Sequence, residues 1–186
     1  MKFNAPWICL GILLTWMSAC NVDKKKTIPE EAIEFTTTDQ SRMFFNNVRT
    51  LDYDQEEDDQ TDRVFYRIEE RNTDTLPPVL NLCIVNDPFH YRAYIMLEPN
   101  AYFSQPYHFE VVWKDSLLNT SGSISFQEGN IIEQYLFITK LYNKLLAQCQ
   151  FYIKEENMEI PLLNTAQERE AFRKTMIDYY RLINVL

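Results

Sequence analysis

An α+β domain, with helices packed on one face of an antiparallel sheet, follows from three features of the sequence: a series of short alternating strands, two amphipathic helical stripes near the C-terminus, and a hairpin between those helices. Residues 63–127 supply the strands. Val64, Tyr66 and Ile68 alternate with Phe65, Arg67 and Glu69, and the run from Val79 to Val85, apolar except at Asn81, follows the breaker Leu76-Pro77-Pro78. Asn86-Asp87-Pro88 turns the chain into a third strand with Tyr91, Ala93, Ile95 and Leu97 on one face. Tyr107, Phe109, Val111 and Trp113 then face away from His108, Glu110 and Lys114, and a strand over 121–127 completes an expected meander of about five.

The cover for that sheet comes next. Ile131, Tyr135, Ile138, Tyr142, Leu145 and Cys149 recur at helical spacing with Glu133, Lys140, Asn143 and Lys144 outside the stripe. A second helix opens on the capping-box pattern Thr165-Ala-Gln-Glu168 and carries Phe172, Met176, Tyr179, Ile183 and Leu186 on one face. Asp178 and Arg181, three apart on it, are spaced to pair, and Arg169, Arg173 and Lys174 form a basic face. Between the helices, 151–154 and 158–162 read as a hairpin.

The N-terminal third is organised differently. Lys2 is a positive n-region, Trp7 to Met17 an apolar stretch, and Met17-Ser18-Ala19-Cys20 a small-residue cleavage site ending on cysteine. The apolar stretch is shorter than the roughly 20 residues of a membrane-spanning helix, and only Thr15 is clearly polar, against a polar-faced core helix. An ordinary secretory signal cut elsewhere is the remaining alternative. The combination resembles the signal peptide and lipobox of bacterial lipoproteins, with Met17 where that family usually has Leu. The resemblance implies removal of residues 1–19 and a fatty-acylated Cys20 as the first residue of the mature chain, two or three acyl chains being enough for stable anchoring. It further implies a membrane as one partner. Asn21, rather than Asp, after the cysteine points to the outer membrane, and Asp23-Lys-Lys-Lys26 lacks the acidic stretch associated with surface export, so the expected display is periplasmic. Residues 20–32 then read as a tether and 33–186 as one globular domain, with 33–62 partly ordered and 52–62 an exposed acidic loop.

Composition narrows the function. The full chain carries a net charge of −9, which disfavours nucleic acid and anionic headgroups. With 46% hydrophobic and 14% aromatic residues, it has the material for a packed core. Set against a calcium loop, the acidic run has Glu57 where glycine is needed and Arg63 where a bidentate glutamate is needed. Gly122 and Gly129, the two glycines outside the leader, lack the spacing of a phosphate-cradling loop, and no Gly-x-Ser-x-Gly elbow occurs. No cofactor or metal is expected. Cys83 and Cys149 read as buried thiols, with a disulfide as the alternative. Asn119-Thr-Ser reads as turn chemistry.

Two constellations remain. Tyr102, Phe103 and Tyr107, in a proline-bounded loop, have the rigid aromatic character of a surface that binds a protein or glycan, with core packing as the competing reading. His90 and His108, with Asp87 and Glu110 nearby in sequence, would suit a small hydrolase or metal-dependent site if the fold joined them. The sequence therefore favours an envelope lipoprotein that works by binding or assembly. An enzyme built on the two histidines is the alternative, and an immunity or inhibitor protein with an acidic face for a basic toxin is a third.

Overall fold

The computed structural model describes residues 27–28, 34–155 and 158–186. Residues 1–19, expected to be a signal peptide, and Cys20 lie outside the described residues. The α+β class holds, but eight strands form two antiparallel sheets of four rather than one meander of about five. In the first sheet β1 (Tyr53–Asp58), β2 (Arg63–Ile68), β3 (Leu80–Asp87) and β4 (Arg92–Pro99) follow in chain order. In the second, β5 (His108–Asp115) sits between β6 (Thr120–Gln127) and β7 (Gln150–Glu155), with β8 (Met158–Leu162) outside β7. The meander breaks after Pro99, where the loop to β5 carries the chain off the first sheet. One edge of β5 takes β6, and the other is left for β7 of the C-terminal hairpin.

Helix α1 (Asp39–Phe44) continues through a π-helical turn at Phe45–Arg49 and a 3-10 turn at Thr50–Asp52. Helix α2 (Ile131–Leu146) lies against β4 and β6, one strand from each sheet, and α3 (Ala166–Leu182) lies against β3, β4 and α2. The three helices open on reciprocal caps, Thr38 with Ser41, Asn130 with Glu133 and Thr165 with Glu168. The middle of the core is polar-tipped: Tyr135, Tyr142, Tyr179 and Tyr180 are all fully buried and meet edge-on or tilted, with centroids 5.5 to 6.4 Å apart. The Tyr180 hydroxyl is 3.0 Å from Thr139 Oγ1.

Three expectations are corrected. The acidic segment is only partly a loop, because Tyr53–Asp58 is the edge strand β1. Asp and Glu have low strand propensity, but Arg67 meets both Glu56 (2.7 Å) and Glu98 (2.8 Å), and Arg71 meets Asp54. Charge along an edge also blocks pairing with another chain. Asp178 does not look outward to Arg181. It is 2% exposed, accepts two bonds from Arg49 at 2.8 and 2.9 Å, and takes a third from the Tyr53 hydroxyl at 2.9 Å. Third, the segment expected to be a tether has a fixed point. Ile28 is buried in the core, donating its N–H to Asn143 Oδ1 (3.1 Å) and accepting from Asn143 Nδ2 (3.0 Å) on α2.

Cys83 and Cys149 are free and buried, and burial, with Glu98 beside it, pushes the Cys83 thiol up to about 12. The β5–β6 turn is built as expected: Asn119 takes positive φ, and Asp115 Oδ1 accepts from the N–H groups of Leu117 and Leu118. The indole of Trp113 lies so close to Gly122 that a Cβ there would stand 2.8 Å from Cζ2, and Lys144 Nζ sits 3.5 Å from the centre of that ring.

Breaking the buried ion pair from one side, by Arg49→Met, leaves a bare carboxylate in the core and is expected to cost about 3–5 kcal/mol in urea unfolding. Asp178→Leu with Arg49→Met removes both charges and should cost clearly less than the two single changes summed. The tyrosines give a pH signature as well. Tyr53, Tyr179 and Tyr180 are held well above the ordinary phenol range, chiefly by burial, with Asp178 adding to the effect at Tyr53. A raised folded-state value stabilises fully below the unfolded value near 10 and is lost as pH rises. Absorbance at about 295 nm should therefore show the exposed tyrosines ionising near pH 10 and the buried ones only together with loss of fold.

Candidate functional site

The sequence leaves the period of residues 33–53 ambiguous, and the reason lies in how that segment packs. Its inward face is short: Ser41, whose Oγ donates to the Leu182 carbonyl at 2.7 Å, Phe45, packed among Tyr53 and Tyr66, and Arg49 on Asp178. Phe35 and Tyr53 at its two ends also pack inward, whereas the other apolar side chains of 39–52 point out. Met43 is 65% exposed, Phe44 45%, Val48 47% and Leu51 80%. Phe44 ends α1, Val48 lies in the π-helical turn and Leu51 in the 3-10 turn. Isolated exposed apolar residues are ordinary on a protein surface; here four fall on one short helical stretch.

The turn from β3 to β4 adjoins this face. Arg42 reaches it, donating from Nη1 to the Pro88 carbonyl at 3.0 Å while its guanidinium carbon stands 4.2 Å over the ring of Tyr91. Phe89 in the same turn is 70% exposed. Between α1 and the turn lies an open hollow of about 680 Å³ lined by Asp39, Arg42, Met43, Asn46, Asn47, Asn86 and Pro88. Two of its polar atoms are buried without a hydrogen-bond partner among the described residues: Arg42 Nε, a donor, and Asn86 Oδ1, an acceptor on a residue only 5% exposed. Buried polar groups are nearly always paired, so these two atoms are exceptions among the described residues.

The floor of the turn is a charge cluster. Asp87 is buried and accepts from the His90 N–H (3.2 Å), from His90 Nδ1 (2.8 Å) and from Arg63 Nε (3.3 Å). Burial pushes its carboxyl up, and the bonds from His90 and Arg63 outweigh this, leaving it below the ordinary aspartate range.

The residues singled out in the sequence fall elsewhere. His90 is an exposed turn residue on Asp87, and His108 begins β5 in the other sheet, paired with Gln127. His90 stands in the β3–β4 turn of the first sheet and His108 in a strand of the second. Among the described residues no group of three or more His, Cys, Asp or Glu side chains is placed to hold a metal ion. Tyr102, Phe103 and Tyr107 are half-buried. Phe103 continues a ladder of rings through Phe109, Phe126 and Phe137 with neighbouring centroids 4.5 to 5.2 Å apart, while the Tyr102 hydroxyl bonds Glu155 at 2.5 Å and Tyr107 Oη accepts from Gln105. The Tyr102 and Tyr107 hydroxyls are thus bonded within the chain, in bonds that stay exposed, and the Phe103 ring packs into the ladder.

No protein-family profile, curated protein or solved structure matches the chain.

A depressed folded-state carboxyl stabilises above its unfolded value, near 3.9, and that contribution is lost as pH falls through the lower folded value. Unfolding free energy should drop below about pH 4, and Asp87→Asn should flatten that acid limb while leaving the pH 6–8 plateau lower but level.

Proposed function

We propose that this protein is a lipid-anchored envelope module that works by binding another envelope component through the exposed face of α1 and the β3–β4 turn. The observation that carries the reading is that face: Met43, Phe44, Val48 and Leu51 exposed on one helical stretch, beside a hollow with an unpaired donor and acceptor. In the sequence, the lipobox-like Met17-Ser18-Ala19-Cys20 supplies the anchor. The clasp of Ile28 on Asn143 supports close attachment, since eight residues from Cys20 reach at most roughly 28 Å. A body on so short a leash meets partners at the bilayer surface, and with residues 1–19 removed its charge of about −10 leaves the lipid to do the anchoring. Among the described residues no helix is long and apolar enough to cross a membrane. The periplasmic side of the outer membrane is the proposed location.

Two experiments separate the parts of this reading. Cys20→Ser should shift the chain from the membrane to the soluble fraction and remove the acyl mass from its N-terminus; a chain that stays membrane-bound at unchanged mass refutes the anchor. Photocrosslinkers placed at Phe44 and Leu51 should give a discrete adduct in intact cells, and one at Lys174 on α3 should not. Phe44→Asp with Leu51→Asp should abolish that adduct while changing unfolding free energy by less than about 1 kcal/mol, because both side chains are exposed.

A further inference from the structure

We infer that the cavity between the α2–β7 turn and the start of α3 is a binding site for a small carboxylate, read by Arg169. The cavity, about 280 Å³, is lined by Gln148, Cys149, Gln150, Phe151, Asn164 and Arg169 among others. Its size lies at the small end of ligand sites, close to about 300 Å³.

Arg169 is half-buried and fixed from one side only. Its Nη1 donates to the carbonyls of Cys149 (3.1 Å) and Leu163 (3.4 Å), and its guanidinium stands 5.7 Å from the ring of Phe151. That leaves the edge formed by Nε and Nη2, two parallel N–H groups whose geometry matches the two oxygens of a carboxylate. On three other arginines the same edge is filled by one carboxylate. Arg49 spends it on Asp178, Arg173 on Glu170 and Arg67 on Glu98. On Arg169 it has no carboxylate among the described residues. The flanking acids are committed: Glu168 accepts from the N–H groups of Asn164 and Thr165 and from Asn72, and Glu170 holds Arg173. Burial lowers the Arg169 pKa, the mark of a cation that has lost water and gained no anion.

In a chain with nine more acids than bases, a guanidinium left without an acid beside a cavity is a site rather than a surface charge. The planar fork selects a carboxylate, and the amides of Gln148, Gln150 and Asn164 offer further donors and acceptors around it. The site is separate from the α1 face and stands whatever partner meets that face.

The test uses the full chain in detergent micelles with isotope-labelled arginine, titrated with sodium succinate, inorganic phosphate and sodium chloride at matched ionic strength. Succinate should shift the Arg169 Nε–H resonance saturably and raise the thermal midpoint, with chloride doing neither. Arg169→Lys, which keeps the charge and loses the fork, should weaken succinate at least about tenfold. If that variant does not fold, the titration of the unaltered chain decides alone. A shift that never saturates, an equal response to chloride, tighter binding of phosphate than of succinate, or unchanged affinity in a folded Arg169→Lys overturns the proposal.

Discussion

A carboxylate sealed inside a protein must be answered by a cation, and Asp178 sets the terms for the N-terminal third of this fold. Asp178 sits on α3, Arg49 at the end of the π-helical turn after α1, and Tyr53 at the start of β1. A buried charge without a partner is far more costly than a good pair is stabilising, so the three elements are fixed relative to one another. The pair specifies position more than it adds stability. With Arg49 turned inward and Phe45 buried one turn earlier, Phe44, Val48 and Leu51 have no core left to enter. The exposed side of α1 and the turns after it thus follows from where Arg49 has to go.

The two sheets share one core because the helices are used twice. Helix α2 contacts β4 in one sheet and β6 in the other, and the tyrosines of α2 and α3 fill the space between them. Tyrosine serves such a place because its ring supplies area and its hydroxyl can find a partner, as Tyr180 does on Thr139. The Tyr142 hydroxyl is buried without a partner among the described residues, so the core is not perfectly satisfied. The same care with polar groups ties in Ile28, whose main chain exchanges two bonds with one asparagine side chain.

Much of this was legible beforehand where a single element carries its own signal. The stripe from Tyr135 to Leu145 is buried, Thr165 and Glu168 close their capping box, and the hairpin joins β7 to β8 as expected. Ala93, Ile95 and Leu97 face inward on β4, though Tyr91 falls in the turn with positive φ. What failed was anything that needed a partner distant in sequence. Tyr53–Asp58 has too many acids to read as a strand until Arg67 and Arg71 are placed beside it. Asp178 has a nearer cation in Arg181, and only the fold brings up Arg49. The helix at 39–52 has a detectable cap in Thr38 and Ser41, but its apolar residues lie on both sides, which hides its period.

By itself the sequence determined the class, the stripes of α2 and α3, the Thr165–Glu168 cap and the Asn119 turn, because these depend chiefly on residues within one or two turns of each other. The lipobox-like run Met17-Ser18-Ala19-Cys20, on which the proposed anchor rests, is likewise a pattern of neighbouring residues. Only the tertiary structure decided that the strands divide into two sheets, which arginine meets which acid, and which arginine is left with an open fork. Those outcomes depend on contacts between residues as far apart as 49 and 178, and no local pattern encodes a distance in space.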